Sequence, residues 1–340
     1  MQTSTALGEK IPEKMEYTLS LFNAIPMKNV TIDVIPKTIV VPVGAIIGLK
    51  LYTKGILVVG LSETGQNLGI KEGDTILSVN EKQISSTEEL IQSVNEGNGE
   101  NVKITYDSGG EIKVANIIPN KGEEGTYRLG LWVRDAAAGV GTVSYYEPDT
   151  KTFVALGHGI QDIDTEKFMT IANGEIVTAS IIDIVKGEKG KPGEIRGNIS
   201  GGNKVGAISK NTVFGIYGKI DDISNLNINT SEAIEVASRD EIALGPAQII
   251  CTLEDGKRAE YDVDIQKINI NNNGDNKSML IKVTDRKLLE KTGGIIQGMS
   301  GSPIVQNGKF IGAVTHVLVN DPSMGYGVFG DILIKTARET

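Results

Sequence analysis

The stretch Gly298, Met299, Ser300, Gly301, Ser302, Pro303 places a serine between glycines directly before the apolar pair Ile304 and Val305. A hydroxyl that attacks a carbonyl needs such neighbours: backbone must pass close to the attacked carbon, and amide N–H groups must point at the oxyanion that forms there. The amides of Gly298 and Ser300 are the candidate donors. A plain β-hairpin connection is the competing use of the same residues. The second candidate is His158, one of two histidines, flanked by Gly157 and Gly159 at the end of the apolar run Phe153 to Leu156. An imidazole at a strand end suits a general base; a histidine in a tight turn is the alternative. The 142 residues between His158 and Ser300 leave room for most of an enzyme between base and nucleophile.

The elements that would carry these groups are strands. Gly 41, abundant Ile and Val, few aromatics, and short apolar runs broken by Gly, Asn and Asp predict a mainly β protein, and 340 residues predict two or three domains. Serine and histidine so placed are how a chymotrypsin-like protease presents its nucleophile and base, which predicts a double β-barrel around them. The net charge of −9 argues against a nucleic-acid partner and an anionic membrane surface, since both select basic patches. Cys251, the single cysteine, excludes an internal disulfide and reads as a core strand position within Ala247 to Leu253. Two histidines 158 residues apart and no CxxC leave no zinc-type spacing, so neither metal nor cofactor is expected. The longest apolar stretch, Thr38 to Tyr52, is interrupted by Pro42, Gly44, Gly48 and Lys50, so no transmembrane helix is expected. Met1 to Lys10 is polar with no apolar segment after it, which does not read as a signal peptide. Either the protein stays where it is made, or this chain lacks its export segment.

Three regions are expected. Residues 1–38 read as an entry arm or stalk. Residues 39–120 read as strands Ile39 to Val43, Leu49 to Leu51, Ile56 to Gly60 and Thr75 to Val79, then a helix, then strands Val102 to Tyr106 and Ile112 to Ile117. Ser86, Thr87, Glu88, Glu89 announce the helix as a capping box, and Leu90, Ile91 and Val94 give it one apolar face. This order, with Gly69, Ile70, Lys71, Glu72, Gly73, Asp74, Thr75, Ile76 leading to Val79 and Asn80, resembles a bacterial PDZ domain, an α/β module that binds an extended chain as an added strand. By that resemblance Ile47, Gly48, Leu49 and Lys50 match the peptide-binding carboxylate loop and the strand after it. A PDZ-like module that only packs against its neighbour is the alternative.

Residues 126–335 resemble the SpoIVB-type peptidase family of spore-forming bacteria. Leu129 to Asp135, Ala138 to Thr142 and Ala155 to Gly159 carry the likeness at the start. Thr292 to Gln297, running into the serine hexapeptide, and Thr315 to Pro322 carry it at the end. The resemblance implies a PDZ domain followed by a serine endopeptidase that acts as a sporulation signal. Such an enzyme is exported to the space between forespore and mother cell. There it cuts itself and a regulatory subunit of a membrane-embedded metalloprotease, which triggers late sigma-factor maturation. The family's N-terminal anchor or signal is not visible in this sequence.

The family's order of His, Asp and Ser falls on His158, Asp285 and Ser300. Asp285 is equally a natural N-cap for a short helix Arg286 to Lys291 closed by Gly293. A strict chymotrypsin analogy would instead take the acid from Asp162, Asp164 or Asp183. His316 lies on the strand Ile311 to Val317, which in such enzymes borders the specificity pocket; a packed or surface histidine is the other reading. Gly187 to Gly197 and Asn269 to Asn276 read as hairpin loops or, alternatively, self-cleavage sites. A catalytically silent PDZ scaffold or binding protein is the competing functional class.

Overall fold

Strand follows strand through nearly the whole chain, because the β-branched runs are punctuated by glycine, asparagine and aspartate turns. The computed structural model describes residues 14–339 apart from 23, 34–36, 123, 255 and 273. It divides into residues 1–39 and 40–340. In the first unit, strands Lys14–Leu21 and Ile25–Asp33 pair as an antiparallel hairpin with a bulge between Leu19 and Ser20. The rest of the expected arm, 1–13 and 34–36, lies outside the described residues.

The second unit holds three apolar cores. The C-terminal core fills a closed barrel of six strands: Gly245–Glu254, Lys257–Ile268, Met279–Val283, Asp321–Phe329, Lys309–Leu318 and Pro303–Gln306. Cys251 is buried there, 1% exposed. Where the sequence predicts a pair of barrels, this is the one that closes by itself. Twelve other strands form one sheet, while Asn120–Lys121 with Tyr127–Arg128, and Ser180–Val185 with Glu194–Asn198, pair as separate two-stranded ribbons.

Two long strands, Ile46–Leu61 and Leu131–Glu147, pair antiparallel through most of their length and form the spine of that sheet. Their near halves take part in the core that positions His158: Ile46–Leu61 also pairs with Ile171–Thr178, and Leu131–Glu147 with Thr152–Ala155. Their far halves reach the third core. There Ile56–Leu57 pairs with Thr75–Val79, followed by Val102–Ser108 and Glu111–Ile117. The sequence splits the first spine strand at its lysines and glycines into two short strands. Pairing on both edges makes it one.

Helix α1, Thr87–Glu96, covers the third core with Leu90, Ser93 and Val94. Ser86 Oγ accepts from the Glu89 amide as the capping pattern requires. Glu89 reaches back one residue further than expected, to the amide of Ser85, and Ile91 faces solvent. The other helices are α2, Arg286–Thr292, and α3, Gly330–Arg338. No described helix is long and apolar enough to cross a membrane.

Candidate active site

His158 follows the strand Thr152–Ala155 through a sharp turn in which Leu156 and Gly157 both have positive φ, 71° and 68°. A leucine in that region carries strain of order 1–3 kcal/mol, tolerated because its side chain is buried and its amide donates to Thr142 O. Gly159 permits the next step: a Cβ there would lie 2.1 Å from Phe168 and 2.5 Å from Thr212 O. His158 Nδ1 is 2.9 Å from Gly159 O. A carbonyl only accepts, so Nδ1 carries the proton and Nε2 is left as the basic nitrogen. Burial lowers the His158 pKa below the ordinary imidazole value, and the Gly159 carbonyl partly opposes this.

Ser300 sits on the loop between α2 and the strand Pro303–Gln306. Gly298 and Gly301 have φ of 95° and 97°, and a Cβ on Gly301 would meet Thr142 O at 2.1 Å. Glycine at 301 is therefore what lets the serine loop lie directly on the spine strand Leu131–Glu147. Thr142 fastens it twice, through Oγ1 donating to Gly298 O at 2.7 Å and through its amide donating to Ser300 O at 3.2 Å. Three amides of the loop are satisfied internally: Met299 to Ile296 O, Gly301 to Val314 O and Ser302 to Met299 O. Among the described residues no partner meets the amides of Gly298 and Ser300. Both residues line one cavity of about 490 Å³ together with His158 and His316. Its other walls come from Leu49, Ala137 to Val140, Pro192, Ile296, Val317 and Val319, and no charged side chain lines it.

The family described as SpoIVB peptidase S55 matches residues 125–334. The chain belongs to that family. This S55 peptidase is similar over 24% of its length to the PDZ domain of an SdrC-like protein from Listeria monocytogenes, with 23% identity, 87% of that chain covered and a TM-score of 0.22. It is similar over 59% of its length to an inactive form of Rv3671c from M. tuberculosis, with 11% identity, 83% of that chain covered and a TM-score of 0.33. A second inactive form of the Rv3671c protease is similar over 58%, with 12% identity, 81% covered and a TM-score of 0.31. As an S55 peptidase the chain is a serine peptidase and acts on protein substrates.

The structure does not bring every expected residue to this cavity. Asp285 caps α2, accepting from the Leu288 amide at 2.8 Å. Its charge acts on the Cys251 and Tyr261 side: burial, with Asp285 adding, pushes each of these groups up to about 12. Asp285 is absent from the cavity wall and makes no described contact with His158; the structure shows it as the N-cap of α2. The rival carboxylates are also occupied elsewhere. Buried Asp162 binds Arg134 and the amides of Asp164 and Thr165; Asp164 lies 2.6 Å from Arg134; Asp183 is exposed. Among the described residues no carboxylate hydrogen-bonds or ion-pairs with His158.

The structure places Ile47 to Lys50, the expected peptide-binding loop, inside the sheet. These four residues lie inside a strand whose partners are Ala138 to Gly141 on one edge and Glu175 to Thr178 on the other. An added strand needs a free edge, and none exists there. Leu49 instead enters the wall of the Ser300 cavity. Sequence reasoning missed Thr142 and Thr315. The carbonyl of Thr315 accepts from Ser300 Oγ at 2.8 Å, a contact made by backbone and therefore silent in residue type. No described group of three or more His, Cys, Asp or Glu side chains could hold a metal.

Proposed function

We propose that this S55 peptidase cleaves peptide bonds by acyl transfer, with Ser300 as nucleophile, His158 as general base and the amides of Gly298 and Ser300 as the oxyanion hole. The observation that carries the reading is the pair of unpartnered amides on the serine loop, in residues that line the same cavity as the imidazole. In the resting arrangement Ser300 Oγ donates to Thr315 O. A turn about its Cα–Cβ bond releases it to donate to His158 Nε2. His158 takes that proton as the Ser300 Oγ–carbonyl bond forms, the two amides hold the oxyanion, and His158 then returns the proton to the leaving amine. Because burial lowers the His158 pKa, the base stays neutral below pH 6.5, and the acid limb of activity falls lower than that of a free imidazole.

Family membership supports the finer reading of a sporulation signal exported to the space between the two cells. There it would process itself and cut the regulatory subunit of a membrane-embedded metalloprotease. We read residues 39–120 as a PDZ-like region that influences substrate choice, and 126–335 as the peptidase. We read the near halves of the spine strands as part of a second barrel. In its support, pairings run from Ile46–Leu61 through Leu131–Glu147, Thr152–Ala155, Gly215–Ile220, Lys204–Thr212 and Ile171–Thr178 back to Ile46–Leu61.

A fluorophosphonate, which reacts with activated serines, tests the chemistry. Wild type is expected to label and Ser300→Ala to lose both labelling and peptide cleavage while remaining folded. Ser302→Ala is expected to label normally, since Ser302 Oγ is buried without a partner and away from the cavity wall. Labelling that survives Ser300→Ala would refute the assignment. A wild type that never labels would favour the silent scaffold, which the Ser300–Thr315 hydrogen bond also suits.

A further inference from the structure

His316 lies beside His158 with ring centroids 5.0 Å apart and planes inclined by 34°. Both rings line the Ser300 cavity and a second, adjoining cavity that Asn276, Phe168 and Val213 help to form. His316 follows Thr315, whose carbonyl holds the nucleophile's hydroxyl, so one strand turn presents both groups to the site. Its Nδ1 is buried without a hydrogen-bond partner. An unpartnered buried nitrogen costs stability that an apolar ring of the same size would not, so packing alone gives no reason for histidine.

We propose that His316 is a positioning residue for His158: its neutral ring stacks on the base, fixes the plane that aims Nε2 at Ser300, excludes water from that face, and offers a π-face to the imidazolium formed during acyl transfer. This rests on the Ser300–His158 reading above. A cation over an aromatic face is favoured, whereas two imidazolium rings in contact repel. The partner must therefore stay neutral. Burial pushes His316 down to about 4, and the titratable groups facing it, His158 and Lys277, reinforce this when protonated. Lys277 is itself held over the Tyr326 ring at 5.3 Å.

The test measures fluorophosphonate labelling of the full chain, separating the maximal rate from the half-saturating concentration, across pH 4 to 8. His316→Ala is expected to lower the maximal rate about tenfold or more, as loss of an oriented base does, with half-saturation unchanged. Its acid limb should move up toward pH 6.5 as water reaches the freed face of His158. His316→Phe keeps a flat ring and should retain most of the rate and the low acid limb. His316→Leu, of similar bulk but without a π-face, should lose rate as His316→Ala does while keeping the low acid limb, since it still excludes water. Wild-type rate and acid limb in His316→Ala would overturn the proposal, as would a change confined to half-saturation. If His316→Ala does not fold, the Phe and Leu variants decide: equal rates in the two would overturn it. Ser300→Ala distinguishes this failure from failure of the chemistry, because its labelling does not depend on the role of His316.

Discussion

Asp285 and His158 each carry a hydrogen bond to nearby backbone. The Asp285 carboxylate turns inward to the amide of Leu288, at the start of α2, while the proton on His158 Nδ1 goes to the carbonyl of its own neighbour. Asparagine caps helices about as well as aspartate. Asp285→Asn is therefore expected to stay within about twofold of wild-type turnover and to melt within a few degrees of it. A triad acid would behave otherwise, since exchanging the orienting aspartate of a chymotrypsin-like protease for asparagine costs about 10⁴ in turnover. Steady-state peptide cleavage and a thermal melt check both numbers. A fall of several orders of magnitude in a folded protein would return Asp285 to the site. At this scale the sequence was half legible: it named both roles of Asp285, and the cap is the one the hydrogen bonds display.

At the scale of elements, the loop carrying Ser300 is held by a strand from the other half of the fold. Thr142 Oγ1 reaches Gly298 O, and its amide reaches Ser300 O. Thr142→Val keeps the shape and deletes the side-chain bond. It leaves Gly298 O unsatisfied, at a cost of about 1 kcal/mol, and loosens the peptide between the amides proposed as the oxyanion hole. The expected outcome is a small fall in melting temperature with a larger fall in turnover, about tenfold, and little change in KM. Unchanged turnover in Thr142→Val would show that Gly301, whose close approach to Thr142 O no side chain permits, anchors the loop alone. The glycines around Ser300 were readable as a demand for close backbone approach. Which strand they approach was not, because Thr142 lies more than 150 residues before Ser300 in sequence.

For the whole molecule, the spine strands decide what can fold. The family match begins at residue 125, yet the strand Ile46–Leu61 supplies Ile47, Leu49 and Leu51 to the core beneath His158 and both partners' edges to the sheet. A fragment comprising residues 126–340 loses that strand and exposes the edges of Leu131–Glu147 and Ile171–Thr178. It is expected to lack a cooperative thermal transition and to fail to label, whereas 40–340 retains both. Circular dichroism melts and fluorophosphonate labelling of the two fragments make the comparison. A cooperative, labelling 126–340 fragment would show that the C-terminal barrel carries the site unaided.

Local chemistry was written in the sequence alone: a serine between glycines, a glycine-flanked histidine, a capping box at Ser86, an N-cap at Asp285, a buried Cys251, and strands throughout. These depend on neighbours within a few residues, where residue type fixes conformation. The tertiary structure alone decided the pairings of long sequence separation. They turned Ile47 to Lys50 from a candidate peptide-binding loop into the interior of a doubly paired strand, and placed Leu49 in the cavity wall. They also set His316 against His158 and brought Gly298 and Ser300, whose amides have no described partner, to the wall of the same cavity. A strand with one free edge and a strand with none share the same alternation of side chains; the difference lies in backbone hydrogen bonds, which carry no residue signature.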